Sequence, residues 1–524
     1  VSSLTAALSL LDQPPFSFFS KAGQPVNLGD GRAELNATLF MPLKPKVTLP
    51  DVTYAVTGRI VDFTSPALVP GRILRAPEVA VAVDTDGLTL SGKGTLNLLP
   101  FDMTYRRGFG PDQNGRARVN GTVLLSDRAL RDLGVTLPEG SVSGEALAAV
   151  DIALENASAP RLTLTSNLVG LGLRLDALGW SKPAATKGSL DLDARLGRAS
   201  VVDRLALTGP GLEVEGEIST RDGGGLDTAR FSRVRAGDWF DAVVSLTGNG
   251  AGRVPDVAVT GGEIDLRSMP DGGGGGGPVS LALDRLTVSS GIAMTDFRGE
   301  FDTRGGLDGR FAARVNGGGP IEGSVTPSDK GNVIRMTSTD AGAVMASAGI
   351  FDQGRGGSLD LTLVPRGPDG HYDGRATFSR MRVQDAPALA ELLSAISVVG
   401  LLEQLNGEGL AFNNGEVQFI LTPEAVQITQ GSAVGASLGI SFAGLYQTVD
   451  RKLDLQGVIS PIYLVNGLGQ IFSRRGEGFF GFNYALTGTA DAPQVSVNPL
   501  SLLTPGMFRE LFRREPPTLE NPNG

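Results

Sequence analysis

His371 is the single histidine of the 524-residue chain, and there is no cysteine. A general base working near neutral pH is most often histidine, and a thiolate nucleophile or a zinc-thiolate site needs cysteine. His371 sits in GPDGHYDG (367 to 374), a turn-like run that reads as a solvated loop. An H-E-x-x-H zinc helix cannot be built from one histidine, and no serine elbow of the G-x-S-x-G kind is read in the chain. Carboxylates are plentiful but fall at alternating strand positions or in turns, where they read as a wet sheet face. No catalytic residue, metal ligand or cofactor site is assigned.

Two glycine-rich stretches invite ligand readings and do not sustain them. QGRGGSLDL (353 to 361) is one imperfect copy of a calcium-binding nonapeptide that works only by stacking successive copies. Gly272 to Gly277, followed by Pro278, lacks the Lys-Ser/Thr pair and the strand-to-helix setting of a phosphate loop, so it reads as a flexible connection. A formal net charge of −10 and the lack of a long Lys/Arg run argue against nucleic acid as a partner.

The dominant pattern is period-two alternation. Leu162-Thr163-Leu164-Thr165, Leu190-Asp191-Leu192-Asp193, Leu359-Asp360-Leu361-Thr362-Leu363 and Leu453-Asp454-Leu455-Gln456 each place leucine on one side of a strand and a polar residue on the other. Punctuation such as DTDG (84 to 87), RDGGG (221 to 225) and RGGLDG (304 to 309) suits hairpin turns. Glycine, at 73 residues, is about twice its usual share of roughly 7%. The fold class expected is mainly β: a long, twisted, mostly antiparallel sheet curled into an elongated open groove.

Helices are few. Asp385-Ala386-Pro387 offers an N-cap and an early proline for a helix over about 386–405, and a second is expected over about 499–513. Ser126 to Leu133 and Gly237 to Val243 are candidates for single short helices. The most apolar runs, Ile396 to Leu402 and Pro461 to Phe472, fall short of the roughly 20 residues of a membrane-spanning helix. The chain starts at Val1 without a basic, apolar leader and is read as a fragment or processed form.

Fully burying a Leu or Val side chain stabilises by roughly 1.5–3 kcal/mol, so a sheet face with dozens of them must be covered. A second sheet or opposite wall, helices, or an apolar ligand can each do this. Helices are too scarce, and between the other two a self-packed core is the commoner solution. Patterning leaves that choice open.

The C-terminal third carries a resemblance. A helix, then GEGLAF (407 to 412), GASLGI (435 to 440), LDLQGVISP (453 to 461), FNYALTGT (482 to 489) and PQVSVNPLSLLTP (493 to 505) follow one another in an order that closely resembles the AsmA-like C-terminal region of the AsmA, TamB and YhdP group of Gram-negative envelope proteins. About 120 residues carry the match, an estimate from those segments. Upstream, GWSKPA (179 to 184) and GGEIDLRS (261 to 268) resemble the repetitive body of the same group more loosely.

The resemblance implies a periplasmic protein of a Gram-negative bacterium, anchored in the inner membrane through a segment missing here. It implies a groove that carries phospholipids between inner and outer membranes, with the outer membrane or an envelope protein as partner at the C-terminal end. The lining candidates are Leu88, Leu90, Leu190, Leu192, Leu281, Leu283, Leu359, Leu361, Leu363, Leu453 and Leu455. In the tail, Met507, Phe508, Leu511 and Phe512 beside Arg509 and Arg513 have the spacing of a helix that lies on a membrane, docks a partner or plugs the sheet's end. The expected divisions are a β-rich body over 1–125, a β-groove body over 126–384, the AsmA-like region over 385–515 and a disordered tail over 516–524. A non-conducting envelope scaffold and a carbohydrate-active β-solenoid enzyme are the alternatives.

Overall fold

The computed structural model describes residues 2–13, 25–44, 52–110, 113, 116–135, 137–156, 158–250, 252–270, 276–367, 370–461, 481–489, 492–498, 500–501 and 516–519. It is mainly β, as the alternation predicts, with few short helices. Two compact units divide it: Val1–Val257 with Ser268–Gly273, and Ala258–Arg267 with Gly274–Gly524.

In the first unit, strands consecutive in sequence are neighbours in an open antiparallel sheet, from Asp30–Phe40 to Phe240–Thr247. One insertion interrupts this order. Arg161–Ser166 pairs with Ser189–Arg195, while the intervening hairpin Leu171–Leu175/Trp180–Lys182 pairs back on the strand Val142–Leu154. The second unit repeats the plan from Pro278–Thr287 to Ala492–Asn498. There Gly331–Ser338 pairs directly with Ser358–Pro365 across an insertion. Among the described residues these ladders are antiparallel, and a parallel bridge joins Arg304 and Gly306.

Because the strands alternate in direction, successive connections fall at opposite rims of each sheet. In the second unit one rim has the short turns 303–307, 329–330, 366–371, 422–424 and 448–451, and the other has the long connections 339–357 and 384–409. In the first unit the long connections 127–141 and 167–188 also share one rim. We call these the hairpin rim and the insertion rim.

The five α-helices among the described residues lie in or against the insertion rim of their own unit. α1 (Leu4–Leu11) sets Leu4 and Leu8 on Phe63 and Ala76, and α2 (Asp127–Asp132) sets Ala129, fully buried, on Leu99, Val123 and Leu125. Ser126 caps α2, its Oγ accepting from Ala129 N at 3.3 Å, in agreement with the short helix expected there. α3 (Ala341–Ser347), α4 (Pro387–Ala395) and α5 (Val399–Asn406) serve the second unit. They share one core with Leu359, Phe378, Met381, Leu410, Phe412, Leu438 and Ile459.

Two helix expectations need correction. The helix over about 386–405 is two, because Ser397 takes the left-handed backbone (φ 58°), and Val398 N reaches back to Leu393 O at 3.1 Å to close the first. Its N-cap is Ala386, which makes no side-chain cap bond; Asp385 stands outside the helix at φ 51°. Gly237 to Val243 is a turn entering the strand Phe240–Thr247, where Phe240, Ala242, Val244 and Leu246 alternate with period two. The helix expected over about 499–513 lies outside the described residues except for 500–501.

A buried lysine braces the insertion of the first unit. Lys182, in the GWSKPA run, is 1% exposed, and its Nζ donates to the carbonyls of Leu168 (2.9 Å), Leu171 (2.7 Å), Pro183 (3.2 Å) and Thr186 (2.7 Å). Burial pushes its pKa below the ordinary lysine value. Trp180 Nε1 donates to Pro210 O at 2.7 Å, fastening the same hairpin to the next turn of the sheet.

A candidate apolar binding face

Opposed residues in an antiparallel ladder share a face, so the registers trace rows across each sheet. One row of the first unit runs Ala33, Ile60, Val79, Gly92, Met103, Gly121, Val150, Leu164, Leu192, Leu205, Gly216, Phe231, Val244. A row of the second runs Leu281, Gly299, Phe311, Gly323, Met336, Leu361, Ala376, Val417, Gly431, Phe442, Gly457, Tyr484, Val497. Neither row contains a charge. At about 4.8 Å per strand, the twelve steps of each amount to about 58 Å of apolar path.

Several glycines of the second unit's apolar face oppose aromatic residues for a steric reason. A Cβ at Gly415 would collide with the Phe378 ring, one at Gly431 with Phe442 and one at Gly374 with Phe419, each an opposed pair. The ring of one strand lies over the bare backbone of the next, covering it and keeping the face shallow. Bulges, as between Phe231 and Val234, add local bending.

The opposite face is polar and cross-linked. Arg59 meets Glu34 (2.9 Å) and Glu78 (3.1 Å), Arg118 meets Asp151 (2.6 Å), Arg195 meets Asp203 (2.5 Å), Arg335 meets Asp360 (2.5 Å) and Arg375 meets Glu416 (2.8 Å). Hydrogen bonds from Arg59 and Arg195 hold Glu34 and Asp203 below the usual carboxylate range. Such exposed pairs stabilise by about 0–1 kcal/mol each, so their clearest effect is to keep this face in water.

Cover on the apolar face is graded from rim to rim. Along Val142–Leu154, Val142, Ala146, Ala148 and Val150 are buried near the insertion rim, whereas Ile152 and Leu154 toward the hairpin rim are half-buried. Along Leu410–Leu421, Leu410 and Phe412 are buried under the helices, and Val417, Phe419 and Leu421 are half-buried. Helices therefore cover the insertion-rim margin of each face, while cover toward the hairpin rim is mixed in the second unit, where Val417 and Phe419 are half-buried but Phe301, Val325 and Leu363 are buried.

All eleven lining candidates fall on these faces. Leu88, Leu90, Leu190 and Leu192 are half-buried in the first unit, as are Leu281, Leu361, Leu453 and Leu455 in the second. Leu283, Leu359 and Leu363 are buried, Leu283 to 2% exposure, and belong to packed parts of the face. Met507, Phe508, Arg509, Leu511, Phe512 and Arg513 lie outside the described residues, as do residues 462–480.

Side chains singled out for chemistry fall elsewhere. His371 occupies the connection between Ser358–Pro365 and Tyr372–Val383, where its carbonyl accepts from Arg366 N at 2.9 Å. Gly435-Ala436-Ser437-Leu438-Gly439 does have the G-x-S-x-G spacing, yet Ser437 stands in a hairpin turn between two antiparallel strands rather than at a strand-to-helix elbow.

One residue that the leucine pattern missed is Arg107. It opposes Leu88 and Ala117 on the apolar face of the first unit, although the strand Leu99–Gly108 had announced it by setting Leu99, Phe101, Met103, Tyr105 and Arg107 at every second position. No helix of the described residues is long and apolar enough to cross a membrane. No protein-family model, curated protein or solved structure matches the chain.

Proposed function

We propose that the chain binds phospholipid acyl chains on its apolar sheet face and serves as part of a bridge that moves them between the inner and outer membranes of a Gram-negative cell. The observation that carries this reading is the pair of charge-free rows, half-buried at most of their positions and backed by a polar face of ion pairs. An acyl chain laid there buries apolar area on both partners, with about 0.8 kcal/mol for each CH2 removed from water. Backbone pairing is already satisfied within the ladders, so the ligand needs to bring only hydrocarbon. The likeness of 385–515 to the AsmA-like region supports the same reading and supplies the periplasmic location, the inner-membrane anchor and an outer-membrane or envelope partner as parts of the proposal. In this reading the chain is a carrier and not an enzyme.

The filled core under α4 and α5 favours one additional role. Leu393 and Leu405 are fully buried against the face, so this stretch acts as structural closure and not as path.

The test is lipid extraction from the purified chain followed by mass spectrometry. Co-purifying phospholipid that falls several-fold in Leu192→Asp and Leu361→Asp, with the β-sheet circular dichroism retained, is the expected result. A lipid-free wild-type chain refutes the reading.

A further inference from the structure

The strand Leu99–Gly108 is graded from one rim of the first unit to the other. Leu99 is buried beside α2, Phe101 and Met103 are half-buried, Tyr105 brings a hydroxyl, and Arg107 brings a guanidinium at the hairpin rim. All five share the apolar face, since they oppose Leu96, Gly94, Gly92, Leu90 and Leu88 in turn. Arg106, on the other face, donates to Asn120 Oδ1 at 2.9 Å. Arg107 is half-buried and has no hydrogen-bond or ion-pair partner among the described residues.

Apart from Arg106, the outer-face arginines described above meet carboxylates. Arg107 instead stands among Val83, Leu88, Ala117 and Leu154 on neighbouring strands. A guanidinium presents a fixed fork of donors that matches a phosphate and lies readily along apolar surface. Tyr105, one step inward, has the apolar body and polar tip that suit a hydrocarbon-water boundary. From Phe101 to Arg107 the strand extends about 20 Å at ~3.4 Å per residue. That is enough for the hydrocarbon depth of one leaflet, about 15 Å as half of a bilayer core.

We propose that Arg107 contacts the phosphate of a phospholipid whose acyl chain lies along the strand Leu99–Gly108 toward Met103 and Phe101. This rests on the acyl-binding reading above and adds an orientation, with headgroups at the hairpin rim and tails toward the insertion rim. It also adds a selectivity, for a phosphate-bearing lipid over an uncharged one.

The test compares the full chain with Arg107→Gln, Arg107→Leu and Arg107→Lys, using Arg106→Gln as the outer-face control. Each is incubated with vesicles containing fluorescent phosphatidylglycerol or a diacylglycerol with the same acyl chains, and retained lipid is counted after separation. Expected are about tenfold weaker retention of phosphatidylglycerol in the Gln and Leu variants, unchanged diacylglycerol, partial recovery with Lys and no effect of Arg106→Gln. Inorganic phosphate alone should not displace the lipid. Equal losses for both lipids, or no loss for either, overturn the headgroup contact while leaving acyl binding intact. A wild-type chain that retains neither lipid overturns the acyl-binding reading and this one with it.

Discussion

Leu164 and Leu192 oppose each other on the apolar face of the first unit, and their neighbours Thr163 and Asp193 are joined on the other face by a 2.8 Å hydrogen bond from Thr163 Oγ1. Two residues on each strand thus contain the plan of the whole sheet, with hydrocarbon on one side and hydrogen-bonded polar groups on the other. A one-residue slip would exchange the faces, so the register is firmly specified.

Glycines under aromatic rings should be intolerant of any side chain. Gly415→Ala drives a methyl into the Phe378 ring and should destabilise the second unit by about 1–3 kcal/mol. Gly305→Ala, whose Cβ would meet nothing within 4 Å, should be near neutral. Thermal unfolding followed by circular dichroism separates the two, and equal effects would remove the packing explanation.

The helical cover on the second unit should be separable from the sheet beneath it. Leu405→Ala empties a fully buried site and should cost about 2–5 kcal/mol locally. It should also raise the binding of an apolar fluorescent dye as α4 and α5 loosen from Phe412 and Leu438. Unchanged dye binding in a destabilised variant would mean that the helices do not shield an otherwise accessible face.

Acid should weaken the fold through its arginine-paired carboxylates. Arg304, chiefly through its side-chain hydrogen bond, lowers the Asp302 pKa from 3.8 to about 2. A folded-state pKa below the unfolded one stabilises fully above the unfolded value and is lost as pH falls through the folded one. The melting temperature should therefore fall between pH 3.8 and about 2, less steeply in Arg304→Gln. The effect should be small because the pair is exposed, and identical profiles for the two proteins would contradict it.

Much of this architecture was legible because alternation and glycine punctuation are local signals. Leu190 and Leu192, or Leu359 to Leu363, announce strand and face together. Helices were harder to read. LTAALSLL (α1) and AGAVMAS (α3) have too little contrast between polar and apolar positions to show a helical period, and their burial depends on strands distant in sequence. The alternating Phe240 to Leu246 prevailed over a weak helix expectation, and Ser397 broke a helix whose leucine spacing continued across the break.

The site was legible in its residue type but not in its gradient. Leu283 and Leu361 look alike in the sequence, yet one is buried and the other half-buried, a difference set by packing between strands and not by the local pattern. Arg107 falls outside the alternating-leucine pattern; its place on the apolar face follows only from a period-two count through Tyr105 and from the register against Leu88.

The most direct measurement of the central claim places a photo-crosslinking residue at Leu361, on the apolar face, and separately at Thr362, on the polar one. Both proteins are illuminated in the presence of phospholipid vesicles and analysed by mass spectrometry. Acyl binding predicts a lipid adduct at 361 and little or none at 362. Equal labelling at both positions, or an adduct at neither, would contradict it.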